Sequence, residues 1–279
     1  MKILKYLTYS LAFLLVAASC DKHELMFDTK KAEKAEFQLH YFEPIANNAK
    51  YYIDSVFVDG VLYSSVNGSG QLLPYNGVPG GGIGKFFSAA PGDHEFVFWR
   101  KGEIVYNQVV TLKEGKQNVI VHDMEKAPII VDNGYPYQHV SGTPTIATWD
   151  TDSLETVKFV NVLYEAAGQP YEGKLQYQWQ HPTTKEWHNL GEPVGFGEST
   201  ERIKVTVIKT THNSSGSCRI YYRILTEDGE VLVHKNTGGK DVNYSDYWTG
   251  YIGRSYIHFL SGVRSGSPVT AVKQWTSLE

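Results

Sequence analysis

Short runs of alternating apolar and polar residues, cut by tight-turn signals about every 8–14 residues, constrain this chain more than any other feature. FQLHYF alternates and stops at Pro44. YYIDSVFVDGVLY reads as two strands folded about Asp59-Gly60, a strong hairpin signal. Gly92-Asp93 precedes HEFVFW, Lys101-Gly102 turns into EIVYNQVVTL, and Lys113-Glu114-Gly115-Lys116 turns into QNVIVHD. A period of two sends neighbouring side chains to opposite faces, whereas a helix needs a repeat near 3.6. Only residues 25–35 (LMFDTKKAEKA) offer a weak helical pattern, and their charge reads better as a tether. The 19 Tyr, 6 Trp and 12 Phe, with abundant Val, Thr, Ile and Gly, are a composition of sheets and turns. The expected fold class is all-β.

Turn spacing of this kind suggests β-sandwiches. The first block is expected over residues 36–126. Pro128, Pro136 and Pro144, with Gly134 and Gly142, then break the pattern, which predicts a linker over 127–149. The second block, 150–279, carries VKFVNVLYEA, GKLQYQWQH, EWHNL, ERIKVTVIKT, SCRIYYRILTE and EVLVHKN as strands. Glu227-Asp228-Gly229-Glu230 marks another hairpin, and RSYIHFLSG and VTAVKQW supply the last strands.

The N-terminus adds a compartment. Lys2 and Lys5 precede an apolar run that ends on Ala17-Ala18-Ser19, the layout of a secretory signal peptide over 1–19. The run is too short to span a bilayer, which takes roughly 20 apolar residues. Ala-Ala-Ser-Cys resembles the lipobox of bacterial lipoproteins, although Ala17 stands where Leu is usual. That resemblance implies cleavage between Ser19 and Cys20, acylation of Cys20, and a lipidated tether over 20–35. Acyl chains contribute about 0.8 kcal/mol per buried CH₂, enough for stable anchoring. With Cys20 acylated, Cys218 forms no disulfide within the chain, so packing alone must hold this exported chain. The net charge is −4, so nothing favours nucleic acid as a partner.

Tyr177-Gln178-Trp179, followed by Trp187 and Leu190, resembles strands C and C′ of an immunoglobulin-like module. Val205 to Lys209, the His212-to-Gly216 loop and Ile220-Tyr221-Tyr222 resemble its E strand, E–F corner and F strand. The paired cysteines of antibody-type domains are absent. IDSVFVDG, the Pro91-Gly92-Asp93-His94 turn and the strand pair from Thr111 to Val121 resemble β-sandwich repeats of bacterial envelope lipoproteins. Such lipoproteins often accompany outer-membrane systems that capture glycans. The resemblance implies an anchored place in the cell envelope, with the outer membrane and its outward face as the leading expectation; Asp21 after the Cys favours inner-membrane retention in some bacteria, so membrane and face stay open.

Catalytic motifs fail on inspection. Gly80-Gly81-Gly82-Ile83-Gly84-Lys85-Phe86 ends in Gly-Lys as a phosphate-binding loop does, but Pro79 and Phe86 stand where Gly and Ser or Thr are needed. His94-Glu95-Phe96-Val97-Phe98 lacks the second His of a zinc-protease helix. Cys218 reads as a small buried hydrophobe. No catalytic, metal or cofactor residue is assigned, and the chain is expected not to be an enzyme.

Aromatic residues carry the remaining signal. In KLQYQWQ, Leu175, Tyr177 and Trp179 share one face and three Gln the other, which places Trp179 in the core. Trp187 fits core or surface equally. Tyr244, Tyr247, Trp248 and Tyr251 cluster in DVNYSDYWTGYIGRSY beside Asp246 and read as a loop. Two roles stand for that loop. Its rings could stack on sugars, whose hydroxyls the polar neighbours would bond; or it plugs the end of a sandwich, since large aromatics are mostly buried. The leading function is a lipid-anchored binding or accessory module for glycan. The rivals are a structural or adhesive module contacting other envelope proteins, and a hydrolase acting through paired carboxylates.

Overall fold

Alternation sorts the strands into layers. The computed structural model describes residues 34–44, 52–63, 86–132, 154–207, 217–236, 238–251 and 255–266, and the backbone of 271–276. The signal segment, Ser19, Cys20, the tether to residue 33 and the Gly80–Lys85 motif lie outside these residues. The first block supplies β1 (Ala35–Tyr41), β2 (Ser55–Val58), β3 (Val61–Leu62), β4 (Phe87–Ala89), β5 (Gly92–Arg100), β6 (Glu103–Leu112), β7 (Gly115–Val121) and β8 (Ile129–Asp132). They build two sheets, ordered β3-β2-β5-β6 and β4-β1-β7-β8. β8 lies inside the stretch expected as linker, where its apolar Ile129-Ile130-Val131 pairs antiparallel with β7 directly after Pro128; residues 133–149 of that stretch lie outside the described residues.

The second block supplies β9 (Leu154–Ala166), β10 (Gln169–Pro170), β11 (Gln176–Gln180), β12 (Trp187–Asn189), β13 (Ile203–Thr206) and β14 (Ser217–Leu225). After them come β15 (Val233–Lys235), β16 (Asp241–Asn243), β17 (Ser245–Tyr251), β18 (Ser255–Val263) and β19 (Ala271–Thr276). One sheet runs β10-β9-β18-β19 with β13 also on β9, the other β12-β11-β14-β17, and β15-β16 form a ribbon. No helix occurs among the described residues, so the fold is all-β.

Hairpin chemistry explains several connections. Asp59 and Gly60 have φ of 52° and 75°, and Lys101 and Gly102 have 54° and 80°. Two successive left-handed residues make the turn whose twist matches flanking strands.

Three apolar layers join the four sheets. Phe37, Leu39 and Tyr41 of β1 meet Val56, Phe96 and Phe98 across the first block. Val157, Phe159 and Leu260 meet Tyr177, Ile220 and Trp248 across the second. A third layer, with Phe42, Ile120, Val160, Val162, Ile257 and Phe259, connects the blocks. The inner strands β7 and β18 are buried along their whole length. Each pairs in parallel with a neighbour, β7 with β1 and β18 with β9. Strands covered on both faces read as near-continuous runs instead of alternating ones, as QNVIV and YIHFL do.

Candidate functional site

The outermost sheet of the second block has one face in the core and one turned outward. On β11 the burial follows the alternation: Tyr177 and Trp179 are buried, while Gln176, Gln178 and Gln180 are half-buried on the other side. On β14 Cys218, Ile220, Tyr222 and Ile224 face inward, leaving Arg219, Tyr221 and Arg223 outside. Antiparallel register sets Tyr221 opposite Tyr247 of β17, Gln178 opposite Arg223, and Gln180 opposite Trp187 of β12. Same-face cross-strand partners lie close enough for their side chains to interact.

The outward side chains hold one another in place. Arg223 Cζ lies 4.4 Å from the Trp187 ring centroid. Its Nε donates to Gln178 Oε1 at 2.9 Å, and Gln178 Nε2 donates to Asn189 Oδ1 at 2.7 Å. Arg219 Cζ lies 4.1 Å from the Tyr247 ring centroid, and the Tyr221 and Tyr247 centroids are 5.9 Å apart. Tyr221 and Tyr247 are 44% and 43% exposed. The result is an outer face with three aromatic rings among amide and guanidinium groups.

This arrangement corrects the expected loop. DVNYSDYWTGY is not a loop: Ser245–Tyr251 is strand β17, paired with β14 over seven positions. Alternation was hidden because Tyr247 points out and Trp248 in, and because the next inward residue is Gly250. A Cβ there would come 2.7 Å from Ile220 Cδ1 and 2.8 Å from both Glu155 carboxylate oxygens, so the position holds glycine.

Trp248 is 1% exposed and cannot offer a face to ligand. Its Nε1 donates to Glu155 Oε1 at 2.6 Å, and Tyr251 N donates to Glu155 Oε2 at 2.8 Å. Tyr244 is buried against Tyr222 and His234. Tyr251 is half-buried and packs on the core. Asp246 is exposed at the strand end, where it accepts from Tyr222 OH at 3.3 Å. Of the expected residues, only Trp187 and Tyr247 belong to the aromatic face. Sequence reasoning missed Arg219, Tyr221 and Arg223, although alternation along RIYYR would have placed them on one side.

A second feature is a cleft of about 150 Å³ where the blocks meet, lined by Glu43, His122, Asp123 and Tyr164 among others. Burial holds the Glu43 carboxyl above its usual range, against the Tyr41 hydroxyl that donates to it at 2.8 Å. Burial also works against the Asp123 charge, but Glu125 N at 3.0 Å and Lys126 Nζ at 2.9 Å hold that carboxyl below its usual range. Carboxyls pushed apart are an acid–base pattern. Here both are engaged within the fold, His122 Nδ1 lies 2.6 Å from Tyr164 OH, and the cleft is smaller than ligand pockets of roughly 300 Å³ or more.

No family model and no curated protein matches this chain. Among solved structures, one described as a "putative cell adhesion protein" from Bacteroides uniformis ATCC 8492 is similar over 88% of this chain and 98% of its own, at 9% identity and a TM-score of 0.23. At that score the likeness carries no weight for fold or function.

Proposed function

We propose that this chain is a lipid-anchored, non-enzymatic protein of the bacterial cell envelope that binds glycan on the outer face of sheet β12-β11-β14-β17. The observation that carries this reading is the set of three rings on one exposed face, Trp187, Tyr221 and Tyr247, interleaved with Gln178, Asn189, Arg219 and Arg223. Aromatic faces take the apolar C–H surface of sugars, and amides and guanidiniums bond the hydroxyls. The two blocks are read as β-sandwich modules, the second immunoglobulin-like. Adjacency of β12, β11 and β14, with β13 in the facing sheet, supports that type. Cys20 is read as the acylated residue, with the protein held at the outer membrane beside a glycan-uptake system.

The test is retention of the full-length protein on polysaccharide gels. Tyr247→Ala and Trp187→Ala are expected to abolish retention while far-ultraviolet circular dichroism shows both variants folded. A chain retained on no polysaccharide, or variants retained as well as the parent, would remove the reading.

A structural or adhesive role has its own support. The outer face of the first block exposes the apolar side chains of Leu62, Ile104 and Val109, at 46%, 52% and 64%, which a protein partner would cover. Co-purification of an envelope protein, lost on Val109→Glu, would favour it.

A further inference from the structure

Unlike the guanidinium of Arg264, those on the aromatic face have no carboxylate partner among the described residues. Arg264 is bound at two points by Glu165, with Nε 2.6 Å from Oε2 and Nη2 2.8 Å from Oε1. Arg202 Nη1 donates to Ser255 Oγ and to the Tyr256 carbonyl. Arg219 and Arg223 make no ion pair among the described residues. Among the described residues Arg223 spends only Nε, on Gln178, and its Nη1 and Nη2 donors stay open there. The Gln178–Asn189 bond and the Trp187 ring fix the group's orientation before any ligand arrives. Arg219 is exposed, lies over Tyr247 and hydrogen-bonds the Tyr221 side chain. No acidic side chain points outward from β11, β12 or β14, which carry Gln176, Gln178, Gln180, Trp187, Asn189, Arg219, Tyr221 and Arg223 on this side.

From this we infer that the ligand of the face is an acidic polysaccharide, one whose sugar rings carry carboxylate or sulfate groups. The inference rests on the reading of this face as the glycan site and narrows its ligand class. A guanidinium presents a planar fork that matches a carboxylate or sulfate at two points, with charge-assisted hydrogen bonds stronger than those to a neutral hydroxyl. Arg219 and Arg223 are four residues apart on one strand, a separation of about 13 Å along β14. Tyr221 and Tyr247 lie between them. Acid groups on non-adjacent rings of one extended sugar chain then meet the two guanidiniums while the intervening rings stack on tyrosine. The chain as a whole is negative, at −4, so this positive patch is local and not the broad basic surface of a nucleic-acid binder.

Affinity electrophoresis of the full chain tests this, in gels containing polygalacturonate (carboxylate), carrageenan (sulfate), xyloglucan (neutral) or polyglutamate (a polyanion without sugar). The expected result is retardation by polygalacturonate or carrageenan, whichever carries the recognised group. Arg219→Gln or Arg223→Gln should weaken it about tenfold each, as loss of one charge-assisted contact does, and rising salt should weaken it too. Far-ultraviolet circular dichroism would show both variants folded. Xyloglucan retarding the chain as strongly, with the arginine variants unchanged, overturns the acidic class and leaves the glycan face standing. Equal retardation by polyglutamate overturns it as mere charge capture. Retardation by none of the four overturns both readings.

Discussion

Arg223 stacks on Trp187 across two strands, with Cζ 4.4 Å from the ring centroid, and so fixes the one indole that reaches the outer face of its sheet from β12. Both residues are half-buried, and β12 is only three residues long, so the stack also secures a short edge strand. A cation–π contact at an exposed site contributes about 0.5–1 kcal/mol. A double-mutant cycle with Trp187→Ala and Arg223→Ala, read by urea unfolding, should return a coupling of that size. Additive single effects would show that the two side chains are neighbours without interaction.

Trp248 has the opposite role, because Glu155 and the surrounding rings lock it into the core. Trp248→Ala should cost about 3–5 kcal/mol, as truncating a buried aromatic does. Glu155→Leu removes the acceptor of Trp248 Nε1 and Tyr251 N and should cost about 1–3 kcal/mol for each donor left buried and unsatisfied. Chemical denaturation measures both. A Trp248→Ala protein as stable as the parent would mean the indole is not in the core.

Gly250→Ala should destabilise by about 1–3 kcal/mol, the usual cost of overpacking. The added methyl meets Ile220 Cδ1, which can swing, and the Glu155 carboxylate, which cannot move without releasing Trp248 and Tyr251. Combining it with Glu155→Ala should recover part of that loss. A melting temperature unmoved by Gly250→Ala would contradict the close approach of β17 to β9.

His40 and His258 make stability depend on pH. Burial pushes both imidazoles from 6.5 down to about 3, with the Asn118 hydrogen bond opposing the shift at His40. Between those values the unfolded chain binds more protons than the folded one, so stability is full above pH 6.5 and falls as pH drops toward 3. Well inside that window the slope is about 1.4 kcal/mol per pH unit per histidine. Urea midpoints at pH 7.5 and 5.0 should show the loss, and His258→Gln should flatten it. A midpoint unchanged between the two pH values would show that neither ring is neutral and buried.

Much of the strand pattern is legible in the sequence, because Asp59-Gly60, Lys101-Gly102 and the alternation of KLQYQWQ each have a local cause. Trp179 is buried as that alternation requires, at 6% exposure. β8 and β17 are not legible for reasons that are also physical. β8 is a short apolar piece among prolines whose partner, β7, lies earlier in the chain. β17 carries aromatics on both faces, so no period of two survives in its hydrophobicity. The site was half visible. Counting rings in one segment led to Trp248, whereas the exposed face is assembled across β12, β14 and β17, and a cross-strand pair such as Tyr221 and Tyr247 exists only once register is known.

A glycan array probed with the parent and with the Trp187→Ala/Tyr247→Ala double variant addresses the outer face most directly. Binding of the parent to a defined set of glycans, and loss of that binding in a variant with the parent's circular dichroism spectrum, is the result expected. Equal binding by both proteins would place the ligand elsewhere and contradict the account.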